Sequence, residues 1–195
     1  MIRQFKKVLV ANRGEIAIRI IRACQELGIR TVAIYSEEDK NSLFRTKADE
    51  SYLIGKNKGP IEAYLNIDEI IKLALKKGVD AIHPGYGFLS ENPELARKCK
   101  EVGIEFIGPD TEMMEKLGDK IKSKQVASSV GVGTIPGTER AVNTDQEALR
   151  FASETGYPVM LKASAGGGGR GMRVVHDEEQ LAREYWNARN EAKKA

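Results

Sequence analysis

The sequence predicts an α/β protein with a parallel-sheet domain followed by a smaller α+β unit. Short apolar runs alternate with segments of helical spacing between Lys7 and Ile107, and four consecutive glycines separate two short apolar runs near the end of the chain. Alternating strands and helices favour a parallel sheet with right-handed crossovers, whose ligand crevice lies beyond the carboxyl ends of the strands. Two apolar runs joined by a glycine loop favour an antiparallel strand pair.

The amino-acid composition is compatible with this architecture and argues against some classes of protein. The chain has 195 residues, of which 41% are hydrophobic and 30% charged, enough for one full domain and a smaller one. A net charge of only +3 argues against a nucleic-acid partner. The two cysteines, Cys24 and Cys99, lie among apolar neighbours in helical patterns, which is typical of reduced core residues in a cytoplasmic protein. The first residues hold only a four-residue apolar run, so we predict neither a signal peptide nor a membrane segment.

The first domain is predicted to contain five strands and the helices between them. The strands are expected at residues 7–11, 31–35, 51–54, 79–83 and 105–107. Helices are expected at residues 14–27, from Asn66 or Asp68 to Lys77, and after Asn92, which has the features of a helix cap followed by proline at the first helical position. Gly28 and Gly78 are suited to end the first two helices.

The first helix has two distinct faces. Ile16, Ile20, Cys24 and Leu27 share one arc at 100° per residue, which we predict to face the core. A second arc holds Arg19, Arg22 and Glu26. This polar arc is either a solvated face or a contact between subunits, and its residues alone favour the solvated face.

The loop after the fourth strand is expected at the crevice end of the sheet. It carries His83, Tyr86, Phe88 and Glu91, with glycines and a proline that shape its backbone. The alternative is that His83 bonds the backbone and that the two aromatic residues pack against the core. For Tyr86 and Glu91, a ligand-facing role and a packing role are both open.

The second part of the chain begins with a lysine-rich helical stretch at residues 111–131, which we expect to break at Gly118. Most of its lysines suit a solvated helix face. Lys120 differs because it falls in the first turn of a new helix, where the helix dipole gives a cation no reason to lie, so it is a candidate phosphate ligand. Asn143 or Thr144 should cap a later helix that ends near Thr155, and a last helix should start at Asp177.

The glycine run is the main candidate binding element. Gly166, Gly167, Gly168 and Gly169 can direct several backbone N–H groups toward a phosphate chain, and Lys162, Arg170 and Arg173 add positive charge. No Lys-Ser/Thr pair follows the glycines, which excludes a P-loop, and the first strand-to-helix turn has a single glycine, which excludes a dinucleotide fingerprint. The alternative is a mobile glycine-rich hairpin without a ligand.

Five motifs together resemble the biotin carboxylase component of biotin-dependent carboxylases, which are ATP-grasp enzymes. They are Ala11 to Ala17 (ANRGEIA), His83 to Asn92 (HPGYGFLSEN), Phe106 to Pro109 (FIGP), Gly118 to Lys120 (GDK) and Lys162 to Met172 (KASAGGGGRGM). Further residues at 44–50 and 59–64 are most similar to the pyruvate carboxylase branch.

The resemblance implies a fold, a reaction and a set of roles. It implies a Rossmann-like domain at residues 1–110, a helical linker at 111–133 and the lid subdomain of an ATP-grasp domain at 134–195. The reaction would use ATP and bicarbonate to carboxylate biotin. By matching position, ATP-binding residues would be Lys120, Lys162, Gly166, Gly167, Gly168, Gly169, Arg170 and Met172. Tyr86 would lie near biotin, and Arg19, Arg22 and Glu26 would form a dimer contact.

The resemblance also indicates what lies outside these residues. We expect the magnesium ligands, the rest of the ATP-grasp domain and the residues that handle bicarbonate to be absent from this chain, so that the chain alone is inactive. The implied partners are a biotin carboxyl carrier domain, the remainder of the biotin carboxylase domain and a second copy. The alternatives are an autonomous module that binds a nucleotide or a partner without catalysis, and the front part of an acyl-CoA carboxylase.

Overall fold

The computed structural model describes residues 4–118, 120–138, 140–162 and 172–192, with the backbone alone at residues 120, 191 and 192. The chain divides into two compact units, Met1–Glu115 and Lys116–Ala195. Each unit has its own sheet and its own core.

The first unit is built on a five-stranded parallel sheet, as predicted. Its strands are β1 (Lys7–Val10), β2 (Arg30–Tyr35), β3 (Glu50–Leu53), β4 (Ala81–His83) and β5 (Glu105–Phe106). Their order across the sheet is β3-β2-β1-β4-β5, with β1 at the centre. In the register, Leu9 is level with Val32 on one side and Ile82 on the other. The carboxyl ends of β1, β2 and β4 therefore meet at one edge of the sheet.

Helices connect these strands, and one more helix follows the last of them. They are α1 (Gly14–Glu26), α2 (Leu43–Lys47), α3 (Pro60–Tyr64), α4 (Ile67–Lys77), α5 (Pro93–Glu101) and α6 (Thr111–Gly118). The sequence did not predict α2 and α3, because five residues are too few to show a helical period. The predicted helix ends are confirmed where local chemistry fixes them: Gly78 adopts the left-handed conformation, and Asn92 accepts a hydrogen bond from the N–H of Glu94.

Both faces of the sheet are covered, because strand residues alternate between them. Leu9, Val32 and Ile82 pack on one side with α4 and α5 residues, whereas Val8, Val10 and Ala33 pack on the other side with α1. The predicted core arc of α1 holds for Ile20 and Cys24, but the prediction for Leu27 is wrong.

Leu27 is 75% exposed. The helix ends at Glu26, and Leu27 is the cap residue where the chain leaves the helix toward β2. The helical period therefore no longer determines the direction of its side chain. Ala17 and Ile21 occupy the core side of α1 together with Ile20 and Cys24.

The second unit contains helices and a two-stranded antiparallel sheet. Its elements are α7 (Lys120–Ser129), α8 (Asp145–Thr155), β6 (Val159–Leu161), β7 (Arg173–Val175) and α9 (Glu178–Ala192). The small core of this unit consists of Ala148, Ala152, Val175, Leu181 and Tyr185. The predicted antiparallel strand pair is confirmed, and Thr144 is the residue that caps α8. Among the described residues, no helix combines the length and apolar composition needed to cross a bilayer.

Candidate functional site

The β6–β7 hairpin of the second unit has one face toward the core and one face exposed. Val159 pairs with Val175 and points toward the small core, where Val175 is fully buried. Met160 pairs with Val174, and both are about half exposed on the other face. A period of two along each strand explains this division.

Two predicted ligand residues continue the exposed face of the hairpin. Lys162 and Met172 are the next residues beyond the strand ends, and both are exposed. Each lies two positions from a residue of the exposed pair, Met160 or Val174, so the alternation of the two strands, continued by one residue, predicts that all four lie on the same side. We call these four residues the hairpin face. It combines an apolar surface, on which a planar base can pack, with a cation that suits a phosphate.

The structure describes the other predicted ATP-binding residues only in part. Lys120 is the first residue of α7, as the sequence predicted, but its side chain lies outside the description. Gly166, Gly167, Gly168, Gly169 and Arg170 also lie outside the described residues. Arg173, near the same loop, forms an ion pair with Glu184 of α9 at 2.6 Å and so anchors β7 to that helix.

At the carboxyl end of the sheet in the first unit, Asn12 joins two loops. It lies two residues after the end of β1 and is only 3% exposed. Its Nδ2 donates to the carbonyl oxygens of Pro84 and Tyr86, at 2.7 and 2.9 Å, in the loop after β4. Its Oδ1 accepts from the N–H of Arg13 at 2.9 Å.

A buried carboxylate, Asp39, lies in the loop after β2. Arg13 donates to both of its oxygens, with Nε and Nη2 each at 2.6 Å, and Tyr64 Oη donates to Oδ2 at 2.8 Å. Ser42 Oγ donates to Oδ1 at 2.9 Å. Burial by itself raises the pKa of this carboxyl, but the hydrogen bonds from Arg13, Tyr64 and Ser42 outweigh burial and hold it below its ordinary value.

The partners of Asp39 are shifted in the opposite direction. The hydrogen bond to the carboxylate raises the pKa of Arg13, and burial together with the same carboxylate raises the pKa of Tyr64. Arg13 therefore stays a cation and Tyr64 a neutral donor at all physiological pH values. The group is a fixed, charge-balanced connection between the loops after β1 and β2.

The loop after β4 presents one aromatic ring to solvent and buries part of another. Tyr86 is 66% exposed, and Glu91 is exposed as well. Phe88 stacks on Tyr64, with ring centroids 5.1 Å apart and planes at 24°. His83 Nδ1 accepts from the N–H of Gly85 at 3.0 Å, so this histidine bonds the backbone at the strand end. Burial lowers the pKa of His83.

The polar arc of α1 is exposed. Arg19 forms an ion pair with Glu15 at 3.4 Å, and Arg22 forms one with Glu26 at 3.0 Å. Both pairs lie within the helix at i,i+4 spacing, an arrangement compatible with either a solvated face or a subunit contact.

The described residues do not form a metal site. Within these ranges, no three His, Cys, Asp or Glu side chains converge as a metal ion would require.

Sequence reasoning missed Met160, Val174, Asn12 and Asp39. The first two were detectable from the period-2 pattern, which leaves an apolar residue on the outer side of each strand. Asn12 and Asp39 were detectable only as polar residues in loops at the crevice end of the sheet.

Comparison with known proteins gives a consistent result over both units. Residues 4–114 match the family model "Biotin carboxylase, N-terminal domain", and residues 119–195 match "Carbamoyl-phosphate synthase L chain, ATP binding domain". The 2-oxoglutarate carboxylase small subunit of Hydrogenobacter thermophilus is 58% identical over 191 residues, covering 98% of this chain. Mitochondrial pyruvate carboxylase of Rattus norvegicus is 54% identical over 187 residues, covering 96% of it.

The chain spans only 40% of the Hydrogenobacter subunit and 16% of the rat enzyme. Among solved structures, the biotin carboxylase domain dimer of the Hydrogenobacter enzyme, in complex with MgADP, ADP and bicarbonate, superposes with a TM-score of 0.93 at 57% identity. It matches 99% of this chain and 42% of its own length. The chain belongs to the biotin carboxylase family.

Proposed function

We propose that the chain is the N-terminal portion of a biotin carboxylase that uses ATP and bicarbonate to carboxylate biotin on a carrier domain. The observation that carries this proposal is the hairpin face, where Lys162 lies beside the apolar side chains Met160, Met172 and Val174. A solvated hairpin would be expected to expose polar residues at these positions. An apolar surface ending in a lysine is instead complementary to a nucleotide.

Each residue of the site has a specific role in this proposal. Met160 and Val174 pack against the base, with Met172 beside them, and Lys162 neutralises negative charge on the phosphates. Lys120 and the run from Gly166 to Arg170 act on the phosphates as well, as the family resemblance implies. Tyr86, with its ring exposed at the carboxyl end of the sheet, is assigned to the vicinity of biotin.

Magnesium is assigned to the complete enzyme and its ligands to residues outside this chain. The Hydrogenobacter relative binds MgADP and bicarbonate, which supports both as components of the reaction. The described residues offer no cluster that fits a metal ion, so no step of the reaction is attributed here to one.

The relatives support an acceptor and a set of partners. Pyruvate carboxylases of several organisms are 52–57% identical, which supports pyruvate as the final acceptor and oxaloacetate as the product. The partners are the carrier domain, the remainder of the biotin carboxylase domain and a second copy, with Arg19, Arg22 and Glu26 at the dimer contact. We assign the protein to a reducing compartment, the cytoplasm, because Cys24 and Cys99 are both free and buried.

A chimera tests this function. Residues 1–195 replace the matching segment of the Hydrogenobacter small subunit, and ADP release that requires both free biotin and bicarbonate is measured. We expect the wild-type chimera to be active. Lys162→Gln should lower kcat/KM for ATP by about 10- to 100-fold, the value of a lost hydrogen bond to a charged group.

The matched control is Lys122→Gln, which removes an exposed lysine of α7 and should change kcat/KM for ATP by less than about twofold. Equal losses for the two variants would contradict the role of the hairpin face. An inactive wild-type chimera that still folds would favour the autonomous module.

A further inference from the structure

We propose that Asn12 is a positioning residue for Tyr86, and that its carboxamide fixes the turn that presents the Tyr86 ring to biotin. The inference rests on the proposed function and adds to it a residue that touches neither substrate. It is carried by the hydrogen bonds of Asn12, the close packing of Gly85 and the second attachment of the same loop.

Both N–H groups of the Asn12 amide are used within one turn. They go to the carbonyls of Pro84 and Tyr86, the two residues that flank Gly85. Carbonyl oxygens only accept and the N–H of Arg13 only donates, so the orientation of the Asn12 amide is fixed by its partners. Because Asn12 is buried, losing it would leave two carbonyls without these donors.

Gly85 lies directly against this amide. A Cβ added at Gly85 would be 2.7 Å from Nδ2 of Asn12, and the backbone there has a φ of +68°. The N–H of Gly85 is bonded to His83 on the other side of the turn. Contacts to Asn12 and to His83 thus both hold the turn.

The far end of the loop is held independently. Phe88 stacks on Tyr64, which donates to Asp39. Tyr86 lies between these two attachments, with its carbonyl bonded and its ring 66% exposed. An exposed ring on a fixed backbone loses little conformational freedom when a ligand stacks on it, which is what a substrate-positioning element requires.

Hydrogen exchange on the 195-residue chain tests the clamp itself. Asn12→Ala removes the amide, whereas Asn12→Asp keeps its volume but puts acceptors opposite the two carbonyls. The amide of Ser90 is bonded to Gly87 near the independently held end of the loop and should exchange as in the wild type. We expect the amide of Gly85, which is bonded within the turn that Asn12 holds, to exchange about tenfold faster in both variants, corresponding to lost buried hydrogen bonds. Unchanged exchange of Gly85 would overturn the proposal.

Thr31→Val is the matched control. Thr31 is fully buried and its hydroxyl donates to Asp49 at 2.8 Å, but it lies at the opposite end of β2 from the crevice loops. This variant loses a buried hydrogen bond of similar strength without touching the loop after β4. We expect the exchange of Gly85 and Ser90 to stay as in the wild type.

The same variants in the chimera test the role in binding. Asn12→Ala should raise KM for free biotin about tenfold and leave KM for ATP within about twofold, because Tyr86 serves biotin alone. Loosened exchange without a change in KM for biotin, or equal changes in both KM values, would indicate a merely structural residue and overturn the proposal. An inactive wild-type chimera would count against the proposed function, and the clamp would then be decided by hydrogen exchange alone.

Discussion

Asp39 shows how a single residue connects the loops at the end of the sheet. Its carboxylate is buried, yet it accepts hydrogen bonds from Arg13, Tyr64 and Ser42. A buried charge is tolerated only when it is paired and hydrogen-bonded, and this set of donors meets that condition.

Asp39→Asn should therefore destabilise the first unit in a way that depends on pH. At pH 7 we expect the free energy of unfolding to fall by about 2–3 kcal/mol. The pKa of Asp39 is lowered in the folded state, so its contribution is present above the ordinary value of 3.8 and is lost as pH falls through the lower folded value. The difference between wild type and variant should then shrink below about pH 4 in urea titrations followed by circular dichroism.

Asp68→Asn is the control for that experiment. Asp68 is exposed and pairs with Lys98 at the surface, an interaction that solvent screens. Its removal should change stability little at either pH. A constant difference between wild type and Asp39→Asn across the acid range would contradict the charge-based account.

Substitutions at two glycines of the loop after β4 distinguish the effect of backbone strain from the effect of a steric contact. Gly85 and Gly87 have almost the same φ, +68° and +66°, but only Gly85 would bring a Cβ against another residue, Asn12. In both alanine variants the free energy of unfolding should fall by about 1–2 kcal/mol, because alanine disfavours the left-handed conformation. Gly85→Ala should cost about 1–3 kcal/mol more, because the Asn12 amide must move and give up its hydrogen bonds. Equal losses in urea unfolding would show that the contact does not matter.

At the scale of an element, α1 has a buried apolar face and an exposed polar face. Its buried face holds Ile20, Ile21 and Cys24, whereas Arg19 and Arg22 form ion pairs with glutamates of the same helix on the exposed face. Exposed pairs of this kind contribute at most about 1 kcal/mol each to folding. The side chains of the exposed face can therefore form other contacts without unfolding the protein.

Substituting this face should affect association more than folding. We expect the double variant Arg19→Gln, Arg22→Gln to weaken self-association in sedimentation velocity, with little change in Tm. Arg97→Gln is the control, since Arg97 also pairs with a glutamate of its own helix, Glu94 on α5. Loss of dimer in both variants, or in neither, would argue against a specific contact at α1.

At the scale of the whole molecule, the two units differ in how much apolar surface they bury. The first unit has two core clusters, one on each face of its sheet, whereas the described part of the second has one smaller cluster of five buried residues. Small units with small cores are marginally stable. We therefore expect the second unit to unfold first.

Two probes report the units separately. Trp186 is the only tryptophan and lies on α9 of the second unit, whereas both cysteines are buried in the first. In a urea series, Trp186 emission should change at a lower concentration than the thiols become reactive. Coincident midpoints would contradict independent stabilities and indicate one cooperative unit.

The exposed apolar residues of the hairpin face lead to a further prediction, which concerns association of the whole chain. Met160, Met172 and Val174 are all about half exposed, and apolar patches of this kind tend to find partners. We expect the chain to self-associate as its concentration rises, measured by light scattering, and the triple variant Met160→Ser, Met172→Ser, Val174→Ser to associate less. A strictly monomeric wild-type chain at high concentration would contradict this.

Features that depend on neighbours along the chain could be predicted from the amino-acid sequence. The parallel sheet followed from alternating periods, the end of α4 from Gly78, the start of α8 from the Asn143–Thr144 pair and the hairpin from two apolar runs. The position of Lys162 at the end of β6 followed from the same local pattern. Where an element was short, as in α2 and α3, or where a helix ended, as at Leu27, the local signal was too weak.

Only the tertiary structure decided how the crevice loops are joined. Asn12 reaches the loop after β4 across 72 and 74 positions, and Asp39 meets Arg13 and Tyr64 across 26 and 25 positions. These separations are far longer than any single helix or strand, so no periodic pattern along the chain indicates them. The residues meet because the parallel register brings the carboxyl ends of β1, β2 and β4 to one edge, and burial there leaves each polar group to find its partner in a different loop.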